Sequence, residues 1–372
     1  MKMRKRLWAA ALALVMTVTA LTGCGGKDDG SASGAGSSAQ PEAMDLTGVT
    51  DPYLAVSGLA GDTVVARLGD EDLPLSLLLY WLPRYSGVDE ALEVASFHSQ
   101  IHLLARQEGL TPDPSVAQDR EREYADVAAQ MGSEESVDHM LWAQMLDRNL
   151  LIYLYESTDL YDQLCQLYYG ENSGHYPTDA DVNAYLEETG WYRCKHILLA
   201  TVDTETRQPL DEETIARKKV TADDFLAQIR AAEDPIATFD QLMNEHSEDP
   251  GLVTNPEGYT TSKGKMVPPF EEAALALNVG EISEVVESDL GYHIILRLPM
   301  SADEFRDRCI SYLLDQRMEA LRETTPLERL PELDKLDVAA IREKLAALQT
   351  AVNAEVDAIN SQNDASGSGG QG

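Results

Sequence analysis

Four short strings hold the residue types in this chain that could do chemistry. They are Lys195-His196-Ile197-Leu198, Ser247-Glu248-Asp249-Pro250-Gly251, the run from Gly264 to Glu271, and Gly291-Tyr292-His293-Ile294-Ile295. Two histidines and an aspartate are groups that hold or move a proton near neutral pH. Met266 and Phe270 offer apolar surface, and a spacing of four at a helix start lets one helix face present both. Taken singly, each has a plainer reading. A buried histidine is more often a satisfied structural residue, Asp-Pro-Gly is turn chemistry, and an isolated Met or Phe belongs to a core.

The elements that must position these residues follow from periodicity. Cys194 to Ala200 reads as a strand in which Cys194, His196 and Leu198 share one face; Tyr292 to Leu298 reads as another, with His293 and Ile295 facing one way. Ser283 to Glu287 is a further short strand. Between them, Leu210 to Ala232 carries an apolar stripe of Ile215, Ala222, Leu226 and Ile229 at helical spacing. Ile236 to His246 and Phe270 to Leu277 read as two more helices. Residues 191–299 are therefore expected to form a small α+β domain, an antiparallel sheet with helices packed on it.

The flanks are helical. Thr63 to Leu68 is a short strand, Leu75 to Tyr85 a first helix, and Val88 to Tyr169 a helical run broken at Pro112-Asp113-Pro114 and Gly132-Ser133. Thr178 is an N-cap for a helix ending near Gly190. Ser301 to Glu323 and Leu336 to Ile359 return to helix. The expected organisation is a helical domain over 63–190, the α+β domain over 191–299, and C-terminal helices over 300–360 that pack back on the first domain. A polar, disordered tail is expected over 361–372.

The start of the chain reads as a bacterial lipoprotein signal. Lys2, Arg4, Lys5 and Arg6 precede an apolar run from Leu7 to Ala20, which is shorter than the roughly 20 residues a bilayer core requires. Leu21-Thr22-Gly23-Cys24 resembles a lipobox, so cleavage is expected after residue 23, with acylation of Cys24 anchoring the protein to the outer face of a Gram-positive cell membrane. Residues 24–62 are Gly-, Ser- and Ala-rich at first and poor in large apolar groups, and are expected to be a flexible tether.

Composition narrows the partners. With 29 basic and 64 acidic residues the formal net charge is −35, which repels nucleic acid and anionic headgroups. The four cysteines show no CxxC and no metal-ligand spacing, so neither a disulfide scaffold nor a metal site is expected.

As an ordered set, the four strings resemble a parvulin-type peptidyl-prolyl cis-trans isomerase domain. The strand and helices before them, with the helices after, resemble the PrsA-type and SurA-type foldases, whose SurA-N-like chaperone module has the parvulin domain inserted in it. The resemblance implies that Met266 and Phe270 hold a proline ring. It places His196 and His293 at the family's paired histidines and Asp249 near the substrate carbonyl. Thr261 falls where members commonly have a bulky aromatic wall, and Leu290 where some place a small polar residue; both departures affect the substrate pocket. The basic loop of phosphate-reading members is replaced by Asp203-Thr204-Glu205-Thr206-Arg207, and Arg217-Lys218-Lys219 lies in an acidic helix. The implied activity is isomerisation of X–Pro bonds in unfolded exported polypeptides, with no cofactor. The alternative is a holdase-type chaperone with a weak or silent isomerase domain.

Overall fold

The computed structural model describes residues 41–367. The chain forms two compact units. One takes the described residues as far as Tyr168 and those from Leu314 onward; the other is Tyr169–Leu313, an insertion in the first along the sequence.

The helical unit opens with α1 (Pro52–Ser57), the hairpin β1 (Val64–Leu68) and β2 (Glu71–Pro74), α2 (Leu75–Trp81), α3 (Val88–Gln107), α4 (Pro114–Met131), α5 (Glu134–Trp142) and α6 (Arg148–Tyr169). The inserted unit carries α7 (Asp179–Glu188), β3 (Trp191–Ala200), α8 (Glu212–Ala231), α9 (Pro235–His246), β4 (Tyr259–Ser262), α10 (Pro268–Ala276), β5 (Val286–Ser288) and β6 (Gly291–Leu298). The chain then runs through α11 (Ala302–Thr324), β7 (Leu327–Arg329) and α12 (Val338–Gly367). The α+β class is the one observed, and no helix among the described residues is long and apolar enough to cross a membrane.

Two expectations about the ends of the folded part are corrected. The tether does not extend to residue 62. Asp51 caps α1 by accepting the Tyr53 and Leu54 amides at 2.8 and 3.0 Å and takes the Gly61 amide on its other oxygen. Tyr53 and Val56 are each 1% exposed in the core, and Met44, Leu46 and Val49 pack against it. The few apolar residues of this stretch suffice because capping and a spacing of three bring Tyr53 and Val56 onto one buried face. At the other end, α12 continues to Gly367, past the expected tail start at 361. No proline interrupts that stretch, and extending an existing helix costs far less than starting one. The lipobox and Cys24 lie outside the described residues.

The first sheet has the order β2-β1-β7, all antiparallel, so β7 from the far end of the sequence closes the N-terminal hairpin. The second has the order β4-β3-β6-β5, also antiparallel. On one face of this second sheet, Ile197, Leu199, Tyr292, Ile294 and Leu296 pack against Phe225, Leu226 and Ile229 of α8 and Phe239, Leu242 and Met243 of α9. The opposite face presents Tyr192, Cys194, His196, His293 and Ile295, and α10 covers part of it through Phe270 and Ala274. The period-2 alternation of β3 and β6 thus separates the mainly apolar layer that packs on α8 and α9 from the layer that carries the two histidines. Gly291 starts β6 at φ +144°, and a Cβ there would lie 2.8 Å from the Ala200 Cα, so only glycine lets β6 pair this closely with the end of β3.

Candidate active site

The register of β3 and β6 sets the histidines side by side. His196 lies opposite Ile295 and His293 opposite Leu198, so the two imidazoles project from the same face two positions apart. Their rings stack with centroids 5.3 Å apart, and the Nδ1 atoms are separated by 3.1 Å. Asp249 reaches the pair from the loop after α9: His196 Nε2 is 3.0 Å from Asp249 Oδ2. The same carboxylate oxygen accepts the Tyr259 hydroxyl at 2.5 Å, and the other accepts the Gly251 amide at 3.1 Å. At the far side, Ser288 Oγ is 2.7 Å from His293 Nε2 and accepts the Leu290 amide at 3.1 Å.

These contacts fix where the protons sit. Burial works to raise the Asp249 carboxyl, but the hydrogen bonds from His196 and Tyr259 outweigh it and hold the group at about 2. At neutral pH it is an acceptor only. His196 therefore donates from Nε2, and its neutral form accepts at Nδ1. His293 then donates from Nδ1 and accepts from the Ser288 hydroxyl at Nε2. Burial, with repulsion from His196, pushes His293 down to about 3, against the opposing pull of Asp249; it is neutral at pH 7, as this assignment requires. Every polar atom in the row from the Leu290 amide to the Tyr259 hydroxyl has a partner of the right kind.

Phe270, 4% exposed, places its ring edge-on to both imidazoles, at 5.1 Å from His196 and 5.3 Å from His293. Met266 is partly buried in the same cluster, with Tyr192, Cys194, Ala274 and Ile295. Glu271 holds the loop that carries Met266: its two oxygens accept the Gly264 amide at 2.8 Å each, and one also takes the Lys265 amide at 3.3 Å and the Met266 amide at 3.5 Å. Pro268 at the helix start and Val267 before it cost α10 no amide hydrogen bond. Chemically, this is an apolar floor beside a row of groups with defined proton positions. Burial pushes the Cys194 thiol up to about 12, so that thiol is not an activated nucleophile. Among the described residues no group of three metal-ligating side chains assembles.

Of the residues singled out from sequence, the structure brings together His196, Asp249, His293, Met266 and Phe270. Thr261 pairs with Tyr192 on β4, on the site's face of the sheet two positions from Tyr259. Leu290 joins through its backbone amide, which donates to Ser288 Oγ. Sequence reasoning missed Tyr259 and Ser288. The small polar residue sought at Leu290 stands two positions earlier, as Ser288. The aromatic sought at Thr261 stands two positions earlier on the same strand face, as Tyr259.

The family model for the PPIC-type PPIase domain matches residues 196–298. The foldase protein PrsA of Geobacillus kaustophilus is 42% identical over 82 residues, 22% of this chain and 28% of that protein, so the chain's match spans under a third of that relative. The peptidyl-prolyl cis-trans isomerase Pin1 of Digitalis lanata is 32% identical over 110 residues, 28% of this chain and 93% of that protein. Among solved structures, PrsA from Bacillus subtilis is 19% identical, covering 78% of this chain and 93% of that one with a TM-score of 0.24. Through its inserted unit, matched over nearly the whole of the plant isomerase, the chain belongs to the parvulin-type peptidyl-prolyl cis-trans isomerase family.

Proposed function

We propose that the chain is an extracytoplasmic foldase that speeds cis/trans isomerisation of X–Pro bonds in exported polypeptides and is held at the membrane by a lipid on Cys24. One observation carries the isomerase reading: His196, His293 and Asp249 form a single hydrogen-bonded row on the sheet face that Phe270 and Met266 help cover. Rotation about X–Pro breaks no bond, but it must overcome amide resonance, a barrier of about 20 kcal/mol. A catalyst lowers it by binding the twisted amide better than either planar form. In this reading Met266 and Phe270 hold the proline ring, Thr261 lines the outer wall, and the apolar surface excludes the water that favours the planar amide. Asp249 and the histidine pair supply the polar environment of the carbonyl and nitrogen.

A second reading, a holdase activity in the helical unit, draws on a hollow of about 640 Å³ there whose lining includes Tyr53, Trp142 and Tyr153. Proline-limited refolding of a model substrate separates the two. The wild type is expected to accelerate the slow phase, whereas Met266→Ala and Phe270→Leu reduce the acceleration and leave suppression of client aggregation intact. Equal loss of both activities would contradict separate sites, and no acceleration by the wild type would remove the isomerase reading.

A further inference from the structure

Tyr259 is not among the residues the motif strings point to, yet three features tie it to Asp249 and its partner His196. Its hydroxyl donates to Asp249 Oδ2 at 2.5 Å, on the same oxygen that accepts His196. Its ring packs against the His196 imidazole, with centroids 5.7 Å apart and an interplanar angle of 56°. Third, the loop leaves room for it: a Cβ built on Gly251 would collide with the Tyr259 hydroxyl and lie 3.4 Å from Asp249 Oδ1. Gly251 is not in the left-handed region, so space rather than backbone conformation is what glycine supplies there.

We propose that Tyr259 is a positioning residue of the isomerase site, whose hydroxyl, admitted by Gly251, orients the Asp249 carboxylate and through it fixes the proton positions on His196 and His293. The inference rests on the isomerase reading for its relevance to turnover, but not for its geometry. Burial, together with the bond to Asp249, raises the Tyr259 phenol above its ordinary range, so it remains a donor at every pH the protein meets. The carboxylate thus has a permanent O–H donor on one oxygen and the Gly251 amide on the other. Neither oxygen can rotate away from His196 without losing one of them. The groups facing Asp249 are His196 from β3, Tyr259 from β4 and, one step further, His293 from β6. The neighbouring carboxylate Glu248 is turned away, accepting the Ala200 amide at 2.7 Å and pairing with Lys218.

The test is Tyr259→Phe in the full chain, which keeps the ring and deletes the hydroxyl. Two readouts are followed: the carboxyl carbon signal of Asp249 against pH, assigned with Asp249→Asn, and the ring nitrogen shifts of His196 and His293. Loss of a hydrogen bond to a charged group is expected to move the Asp249 titration up by about 1 pH unit and the acid limb of the isomerisation profile with it. The histidine nitrogen signals should move from single-tautomer values toward averaged ones. Gly251→Ala, which displaces the phenol while leaving it present, should shift the titration in the same direction and by less in the Tyr259→Phe background. An Asp249 titration and histidine signals unchanged in a folded Tyr259→Phe protein would overturn the proposal. A shifted titration in a chain whose wild type isomerises nothing would uphold the positioning role and remove the proposed activity instead.

Discussion

His196 and His293 face each other through their Nδ1 atoms at 3.1 Å, so the contact is a hydrogen bond only when one of the two nitrogens carries a proton and the other does not. Asp249 decides which. Because the carboxylate takes His196 Nε2–H, the proton between the rings belongs to His293 in the state with both imidazoles neutral. At neutral pH the expected nitrogen signals are an Nε2–H tautomer for His196 and an Nδ1–H tautomer for His293. Asp249→Asn, whose amide can also donate, should scramble that assignment without unfolding the sheet.

Acid should act on this row in two windows. His293 is held at about 3 in the folded protein, below the ordinary value near 6.5, so the unfolded chain takes up its proton first. Its contribution to stability is complete above pH 6.5 and is lost as pH falls toward 3. Asp249, at about 2 against an ordinary 3.8, adds a loss confined to the range below about 4. Melting of the wild type should therefore drop between pH 6.5 and 4. His98 and His102 of the helical unit, both pushed down to about 4 chiefly by burial, act in the same direction. Site-resolved hydrogen exchange in β3 and β6 separates the inserted unit's share.

Glu271 makes the strongest case for a side chain that acts on the pocket without lining it. Its amide contacts, the Gly264 bond first among them, hold its carboxyl below the usual carboxylate range despite some opposition from burial. Glu271→Ala frees the Gly264–Met266 loop and leaves three amides without this acceptor. A stability loss of about 1–3 kcal/mol is expected, with KM for prolyl peptides rising more than kcat falls, because the loop positions Met266 rather than the polar row. Steady-state kinetics beside a denaturant titration would check both.

What the sequence made legible was the part carried by local pattern. Alternation in 194–200 and 292–298 placed His196 and His293 on the correct faces, and the spacing of Met266 and Phe270 put both in one cluster. What it hid depends on pairing at a distance. β7 is three residues long and becomes a strand only because Ala66–Leu68 offers an open edge. β4 escaped because Tyr259-Thr260-Thr261-Ser262 has no apolar alternation, its register being set by Trp191–Cys194. Tyr259 and Ser288 escaped for the same reason, since each becomes a site residue through a partner far off in sequence or across a turn. Residues 44–62 looked too polar to fold, yet Tyr53 and Val56 anchor them once Asp51 caps their helix.

The C-terminal helix gives a prediction remote from the pocket. Glu355 on α12 accepts Ser136 Oγ at 2.7 Å and pairs with His139 Nδ1 at 2.6 Å, both on α5. Ser136 and His139 are buried, so Glu355→Ala leaves the His139 imidazole in the interior without its partner, while Ser136 keeps Ser133 Oγ at 3.0 Å. The expected cost is about 1–3 kcal/mol, with faster amide exchange over 338–360 and unchanged exchange in β3 and β6. Uniform loosening of both units would contradict a local tie.

Client charge gives the last prediction. A phosphate next to the proline would be read by cations near the end of β3; there the loop carries one arginine, Arg207, beside Asp203 and Glu205, and the cations of α8 are already engaged. Arg217 pairs with Glu213 at 2.8 Å, Lys219 with Asp223 at 2.7 Å, and Lys218 with Glu248, the residue beside Asp249. The exposed Asp203 and Glu205 add negative charge on the turn that follows β3. A dianionic phosphoserine meets those carboxylates beside the single Arg207 guanidinium. Peptides with phosphoserine before proline should therefore turn over more slowly than their alanine counterparts, by about tenfold for a repulsion near 1.4 kcal/mol, and raising the salt concentration should narrow the gap. Faster turnover of the phosphorylated peptide would mean that Lys218 leaves Glu248 to bind it, and Lys218→Ala would then abolish the preference.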